Sequence, residues 1–170
     1  YAKGLQKSYD YLVQKYQLHE KVVGSVEFFK HRPDNFPTIR LAQLANLYYE
    51  KQNLFSKIIN CNSVSQLYQI FNVSVSNYWE THYNFDKESS KKMKKLSKSF
   101  IGLLVINTII PLRFAYALSQ KKEIAQELID LAITIPSEQN VIIEKFELLG
   151  IRSKNLYESQ SLLELKKNYC

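Results

Sequence analysis

The stretch that decides the fold is Phe100-Ile101-Gly102-Leu103-Leu104-Val105-Ile106-Asn107-Thr108-Ile109-Ile110-Pro111-Leu112-Arg113-Phe114-Ala115-Tyr116-Ala117-Leu118. It is apolar almost throughout and long enough to pose one question: does it cross a membrane or run through a helical core? A span needs roughly 20 apolar residues with few or no charges. Asn107, Thr108 and Arg113 interrupt this one, and Pro111 removes a helical N–H and crowds the turn before it. The expectation is a central buried, proline-interrupted helix surrounded by others, with no membrane attachment.

Working outward, the flanking segments carry amphipathic stripes at helical spacing. Leu5, Tyr9, Leu12, Val13 and Tyr16 share one face over residues 2–17, and Gly24 closes the region that follows. Residues 25–31 show no assignable pattern. Pro37 suits the first turn of a helix, with Asn35 nearby as a capping side chain. Leu41, Leu44, Ala45 and Tyr48 are the expected buried stripe of that helix, which should end near Gln52. A weaker helical turn is expected over Leu54–Ile59. Ser63 and Gln66 form a capping box before a short helix carrying Val64, Leu67, Tyr68 and Phe71.

Beyond the apolar stretch, Ile124, Leu128, Leu131 and Ile135 make the next stripe, stopped by Pro136. Ser137 is the expected cap of a further helix with Ile142, Phe146 and Leu149 inward, and Gly150 should end it in left-handed geometry. Asn155 and Glu158 open a last helix carrying Leu162, Leu165 and Tyr169. No alternating strand pattern of useful length and no internal repeat is present. The fold class is therefore all-α: an irregular bundle of about seven or eight helices around the 100–118 segment, forming a single helical domain over residues 1–170.

Composition agrees with a folded domain. A chain of 170 residues buries roughly 70% of its unfolded surface, and 45% hydrophobic with 23% charged residues is ordinary for a globular protein. Only four Gly and four Pro argue against a turn-rich β fold. The net charge of +7 points toward an acidic partner. Yet nineteen of the cations are Lys and four are Arg, a balance closer to a solubilising surface than to a phosphate-gripping cleft, which favours the bidentate fork of Arg. Two isolated cysteines, Cys61 and Cys170, fit a reducing compartment, and the expected localisation is cytoplasmic. The chain opens at Tyr1 without a Met, inside a helical pattern, and is read as a fragment of a longer protein.

No established catalytic motif is present: no HExxH, Gly-rich phosphate loop, CxxC or GxSxG. His19, His31 and His82 are far apart, and no spacing makes them co-ligands. Three features carry both a functional and a structural reading. The run with Lys87, Lys91, Lys92, Lys94, Lys95 and Lys98 is either an anion-facing patch or an exposed loop leading into a solvated first turn. In Tyr78-Trp79-Glu80-Thr81-His82-Tyr83-Asn84-Phe85, the rings of Tyr78, Trp79 and Tyr83 could form a base-stacking platform; alternatively Trp79 and Phe85 anchor the core. Arg32 and Arg40 flank the start of the Pro37 helix, where the macrodipole prefers negative charge. They mark either an anion site or a structural ion pair with Asp34 or a distant Glu. The candidate anion-binding set is Arg32, Arg40, His82 and Arg113. No cofactor is expected.

Four segments carry a family resemblance. They are Arg32–Ala45; Tyr78-Trp79 with Thr81-His82-Tyr83 and Phe85; Ile106–Pro111 with Phe114 and Tyr116; and Leu149-Gly150-Ile151 through Ser159–Leu163 to Leu165-Lys166 and Tyr169-Cys170. In these the chain resembles the C-terminal portion of the bacterial family called domain of unknown function 2851, with Ala117 where the family's Phe-x-Tyr is followed by Gly. The resemblance implies a longer parent whose N-terminal region is similar to restriction-endonuclease-like folds, and that region is the expected partner. It also implies further cysteines past Cys170, which would make Cys170 the first ligand of a metal knuckle in the full-length protein; no metal is expected in the fragment itself. Two functions follow: a helical accessory domain, binding or structural, without intrinsic catalysis, or a nucleic-acid-binding helical domain of a nuclease-like protein. An independent hydrolase using His82 lacks a nucleophile or carboxylate at any recognisable spacing.

Overall fold

The computed structural model describes residues 2–18, 32–85 and 87–169. His19, Gly24, the 25–31 segment with His31, and Cys170, all considered above, lie outside the described residues. The chain is an irregular helical bundle with one small hairpin. In order it forms α1 (Ala2–Tyr16), a 3-10 turn (Pro33–Asn35), α2 (Pro37–Glu50), α3 (Leu54–Ile59), α4 (Val64–Ile70) and the single turn α5 (Asn77–Glu80). There follow β1 (His82–Asn84), β2 (Lys87–Glu88), α6 (Lys98–Leu104), a π-helical segment (Val105–Ile109), α7 (Ile110–Ser119), α8 (Ala125–Ile133), α9 (Val141–Leu148) and α10 (Leu156–Tyr169). Backbone contacts divide it into two compact units, Tyr1–Leu44 with Val75–Lys94 and Ala45–Ser74 with Lys95–Cys170.

The second unit is organised on the deciding stretch. Residues Lys98–Ser119 run as one helix, by length and composition the one among the described residues suited to crossing a membrane, and 33% of its most apolar window is buried. Ile101, Val105 and Ile109 sit in a core with Leu47, Ile58, Leu67, Phe71, Val73, Leu131, Ile135 and Leu156. Each such side chain contributes about 1.5–3 kcal/mol by leaving water. Leu112, Phe114, Tyr116 and Leu118 on the far half are partly exposed, so burial follows a stripe rather than the whole circumference. Pro111 does not break the helix. It stands just after the π turn, and the wider π winding lies where Pro111 would otherwise lack its N–H bond and press on the carbonyl of residue 107. Gly102 is a close approach: a Cβ there would come 3.3 Å from Ile135 Cγ2.

Local end signals are realised where they are purely local. Ser63 Oγ accepts from Gln66 N at 3.3 Å while Gln66 Oε1 accepts from Asn62 N at 2.9 Å. Asn155 Oδ1 accepts from Glu158 N at 2.9 Å, and Gly150 takes φ of +83° after α9. The cap of α9, however, is Asn140, not Ser137: Asn140 Oδ1 accepts from Ile142 N and Ile143 N, and the inward residues are Ile143 and Phe146 rather than Ile142 and Leu149. Ser137 instead shares a hydrogen bond with Ser153 Oγ.

The first unit packs Ile39, Val75 and Trp79 against Phe36, Ala42, Tyr78 and Tyr83. Here the expected face of α2 is wrong. Leu41 is 60% and Tyr48 65% exposed, whereas Ile39, Gln43 and Leu47 are buried. The buried stripe accepts a polar residue because Gln43 Nε2 donates to the Lys94 carbonyl at 3.1 Å. The antiparallel hairpin, unforeseen from sequence, pairs His82 with Glu88 and Asn84 with Lys87.

Candidate functional site

α5 is a single turn, so its terminal carbonyls have no intrahelical partners and must find others. Lys94 supplies them. Its Nζ donates to the carbonyls of Trp79, of Glu80 at 3.0 Å and of His82 at 3.0 Å, which uses all three ammonium protons. The same Nζ lies 4.0 Å from the centroid of the Tyr83 ring. Lys94 is only 3% exposed, and burial pulls its pKa below the ordinary lysine value. A positive charge at the C-terminal end of a helical turn also has the sign the peptide dipoles favour.

The 3-10 turn presents Asp34, and its two carboxylate oxygens are both engaged. Tyr83 Oη donates to Oδ1 at 3.1 Å and Lys92 Nζ to Oδ2 at 2.5 Å. The Lys92 bond is the main reason that Asp34 sits below the usual carboxylate range and that Lys92 sits above the usual lysine value. Burial, then Asp34, pushes the Tyr83 phenol up. Thr38 Oγ1 donates to the Tyr83 carbonyl. Hairpin, 3-10 turn and α2 are thus pinned to one another around Tyr83.

Each residue singled out from sequence can now be placed. Arg40 donates to Asn35 Oδ1 at 2.6 Å and to Gln43 Oε1 at 2.9 Å. Asn35 therefore orients an arginine. Burial lowers the Arg40 pKa against the opposing pull of Asp34. Arg32 is exposed before the 3-10 turn. His82 Nδ1 donates to the Tyr78 carbonyl at 2.9 Å, with Thr81 Oγ1 3.0 Å from the same nitrogen, and the imidazole stacks on Tyr78 with centroids 3.9 Å apart. Trp79 is buried, with Phe85 edge-on at 5.1 Å. Of the aromatic trio, then, Trp79 faces the core, Tyr78 carries His82 on its ring, and Tyr83 carries Lys94.

Arg113 belongs to the second unit. It is 4% exposed, its Nη2 bonds Glu127 Oε1, and its buried Nε has no partner. It lines a crevice with Ser63, Glu127 and Thr134. The structure thus brings Arg40, Tyr78, Trp79, His82 and Tyr83 into one unit and places Arg113 in the other. Among the described residues no group of three or more His, Cys, Asp or Glu is arranged to hold a metal ion. The residue that sequence reasoning missed is Lys94. Nothing in Lys91-Lys92-Met93-Lys94-Lys95 marks the fourth member as buried while Lys91 and Lys95 stay exposed.

In this arrangement Lys94 is engaged with carbonyls, Arg40 with amide oxygens, and Asp34 with Lys92, while Arg32 stays exposed. A family model described as protein of unknown function (DUF2851) matches residues 1–141. No curated protein and no solved structure matches the chain.

Proposed function

Because this chain belongs to DUF2851, a family of proteins of unknown function, we propose that it serves as a helical accessory module, binding or structural, with no chemistry of its own. The observation that carries this reading is the fate of Lys94. The most deeply placed cation of the lysine-rich run is spent on three backbone carbonyls, and Arg113 is spent on Glu127. Groups held this way stiffen a scaffold and are poorly available to a substrate. The partner on this reading is protein, another region of the same parent, in the cytoplasm and without membrane contact. In support, α1 leaves Leu5, Leu12 and Tyr16 exposed, and apolar helix faces open to water are surfaces a partner covers.

The nucleic-acid reading is favoured by the net charge of +7 and by exposed Arg32, Lys91 and Lys95. Fluorescence anisotropy with labelled duplex DNA separates the two. An accessory module should bind no more tightly than the non-specific range of about 10⁻⁴–10⁻⁶ M at physiological salt, and should cleave nothing with or without divalent metal. Affinity well below about 1 μM that falls 10³-fold or more from about 50 to 200 mM salt would replace it with the nucleic-acid-binding domain.

A further inference from the structure

We propose that the crevice walled by α4, α6, the 135–139 turn and the start of α10 binds a small molecule with an apolar body and a carboxylate head. The crevice lies wholly within the second unit and encloses about 510 Å³, inside the 300–1,000 Å³ range of small-molecule sites. Its floor is the buried Gly102, Ile135 and Leu156, and the apolar wall open to a ligand is Leu103, Tyr68 and Pro136. The lack of a side chain at Gly102 lets Ile135 pack against the helix backbone at the base of the crevice. An apolar body is what such a wall takes from water.

The head group follows from which polar groups on the rim are already engaged. Glu138 has both oxygens taken, Oε1 by Asn140 Nδ2 at 3.0 Å and Oε2 by Gln160 Nε2 at 2.9 Å. Ser137 is engaged with Ser153. Lys98 is different. Among the described residues it has no carboxylate partner, and its ammonium stands 5.6 Å over the ring of Tyr68, which also lines the crevice. Burial raises the Tyr68 pKa, so the phenol remains a proton donor across the physiological range. Lys98 and Tyr68 offer a cation and a phenol to an anionic head, while Glu138, still charged, has both oxygens turned to amide donors.

The test uses decanoate and decanol with the full 170-residue chain, by isothermal titration calorimetry below their aggregation concentrations. Saturable decanoate binding with Kd below about 100 μM is expected. Lys98→Gln should weaken decanoate about tenfold, the scale of one charge-assisted hydrogen bond, and leave decanol unchanged. Ser99→Trp, which puts a large ring into the crevice from the first turn of α6, should abolish both while the circular dichroism spectrum is kept. If that variant does not fold, Gln139→Trp from the opposite turn takes its place. No saturable heat up to about 1 mM, equal loss of acid and alcohol in Lys98→Gln, or full binding in a folded crevice-filling variant would each overturn the proposal.

Discussion

Replacing Lys94 by methionine tests the central structural claim, because an unbranched side chain still reaches to the ε position and the ammonium is lost. Of its three acceptors, the Glu80 carbonyl also takes the Lys92 N–H at 2.9 Å and keeps a partner. The carbonyls of Trp79 and His82 lose theirs. Two buried acceptors at about 1–3 kcal/mol each, plus about 1–2 kcal/mol for a desolvated cation over Tyr83, give a gross loss of roughly 3–8 kcal/mol. The mutation also removes the desolvation that depresses the Lys94 pKa and adds an apolar group at a buried position, which together offset roughly half. The expected net destabilisation is ~2–4 kcal/mol. Trp79 is the sole tryptophan and sits in the first unit beside the affected carbonyls, so urea unfolding followed by its fluorescence reads the perturbed unit. Lys95→Met is the control, since that neighbour is exposed and should shift stability by less than about 0.5 kcal/mol. If Lys94→Met also moves the transition by less than about 0.5 kcal/mol, the ammonium does not hold the turn and the reasoning fails.

Three further outcomes follow. Glu127→Gln should destabilise by ~1–3 kcal/mol by leaving the buried Arg113 unpaired, and adding Arg113→Met should recover much of the loss; a double-mutant cycle in chemical denaturation that finds simple additivity contradicts this. Asn140→Ala should cost about 1 kcal/mol through loss of the α9 cap, read as a lower denaturation midpoint with an unchanged slope. Asp34 has its folded pKa below the ordinary 3.8, so its stabilisation is complete above that value and fades as pH falls through the lowered one. With both partners about half exposed (51% for Asp34, 54% for Lys92) the effect is at most about 1 kcal/mol, so Asp34→Asn should lower thermal stability by up to that amount above about pH 4, lose the parent's decline as pH falls below it, and meet the parent at the acid end.

The parts of the fold legible in the sequence are those set within four residues of chain. The Ser63–Gln66 and Asn155–Glu158 boxes and the left-handed Gly150 need no knowledge of what packs where. The orientation of α2 is different. Its apolar residues occupy more than one face, so the pattern admits Leu41–Leu44–Tyr48 or Ile39–Gln43–Leu47 as the buried stripe. A long-range bond from Gln43 to the Lys94 carbonyl accompanies the second choice, and that partner is 51 residues away. The hairpin is too short, at three and two residues, for an alternating pattern to register. Its residues are held by Lys94 and Thr38 from elsewhere in the chain.

The same distinction bears on function. A formal charge of +7 counts Lys94 and Lys98 alike, yet they differ in what they offer a partner. Carbonyl dipoles do not neutralise Lys94, so its charge still contributes to the long-range field that draws anions toward the protein. It offers no accessible donor for a phosphate to bind, and tight nucleic-acid affinity comes from such contacts releasing counterions. A protein built this way attracts polyanions weakly at low salt and loses them as the ionic strength rises toward the physiological range, where the Debye length shrinks to about 8 Å. Weak binding to DNA is therefore no argument against the accessory role; binding much tighter than about 1 μM is, because it requires cations whose ammonium and guanidinium groups remain open to contact.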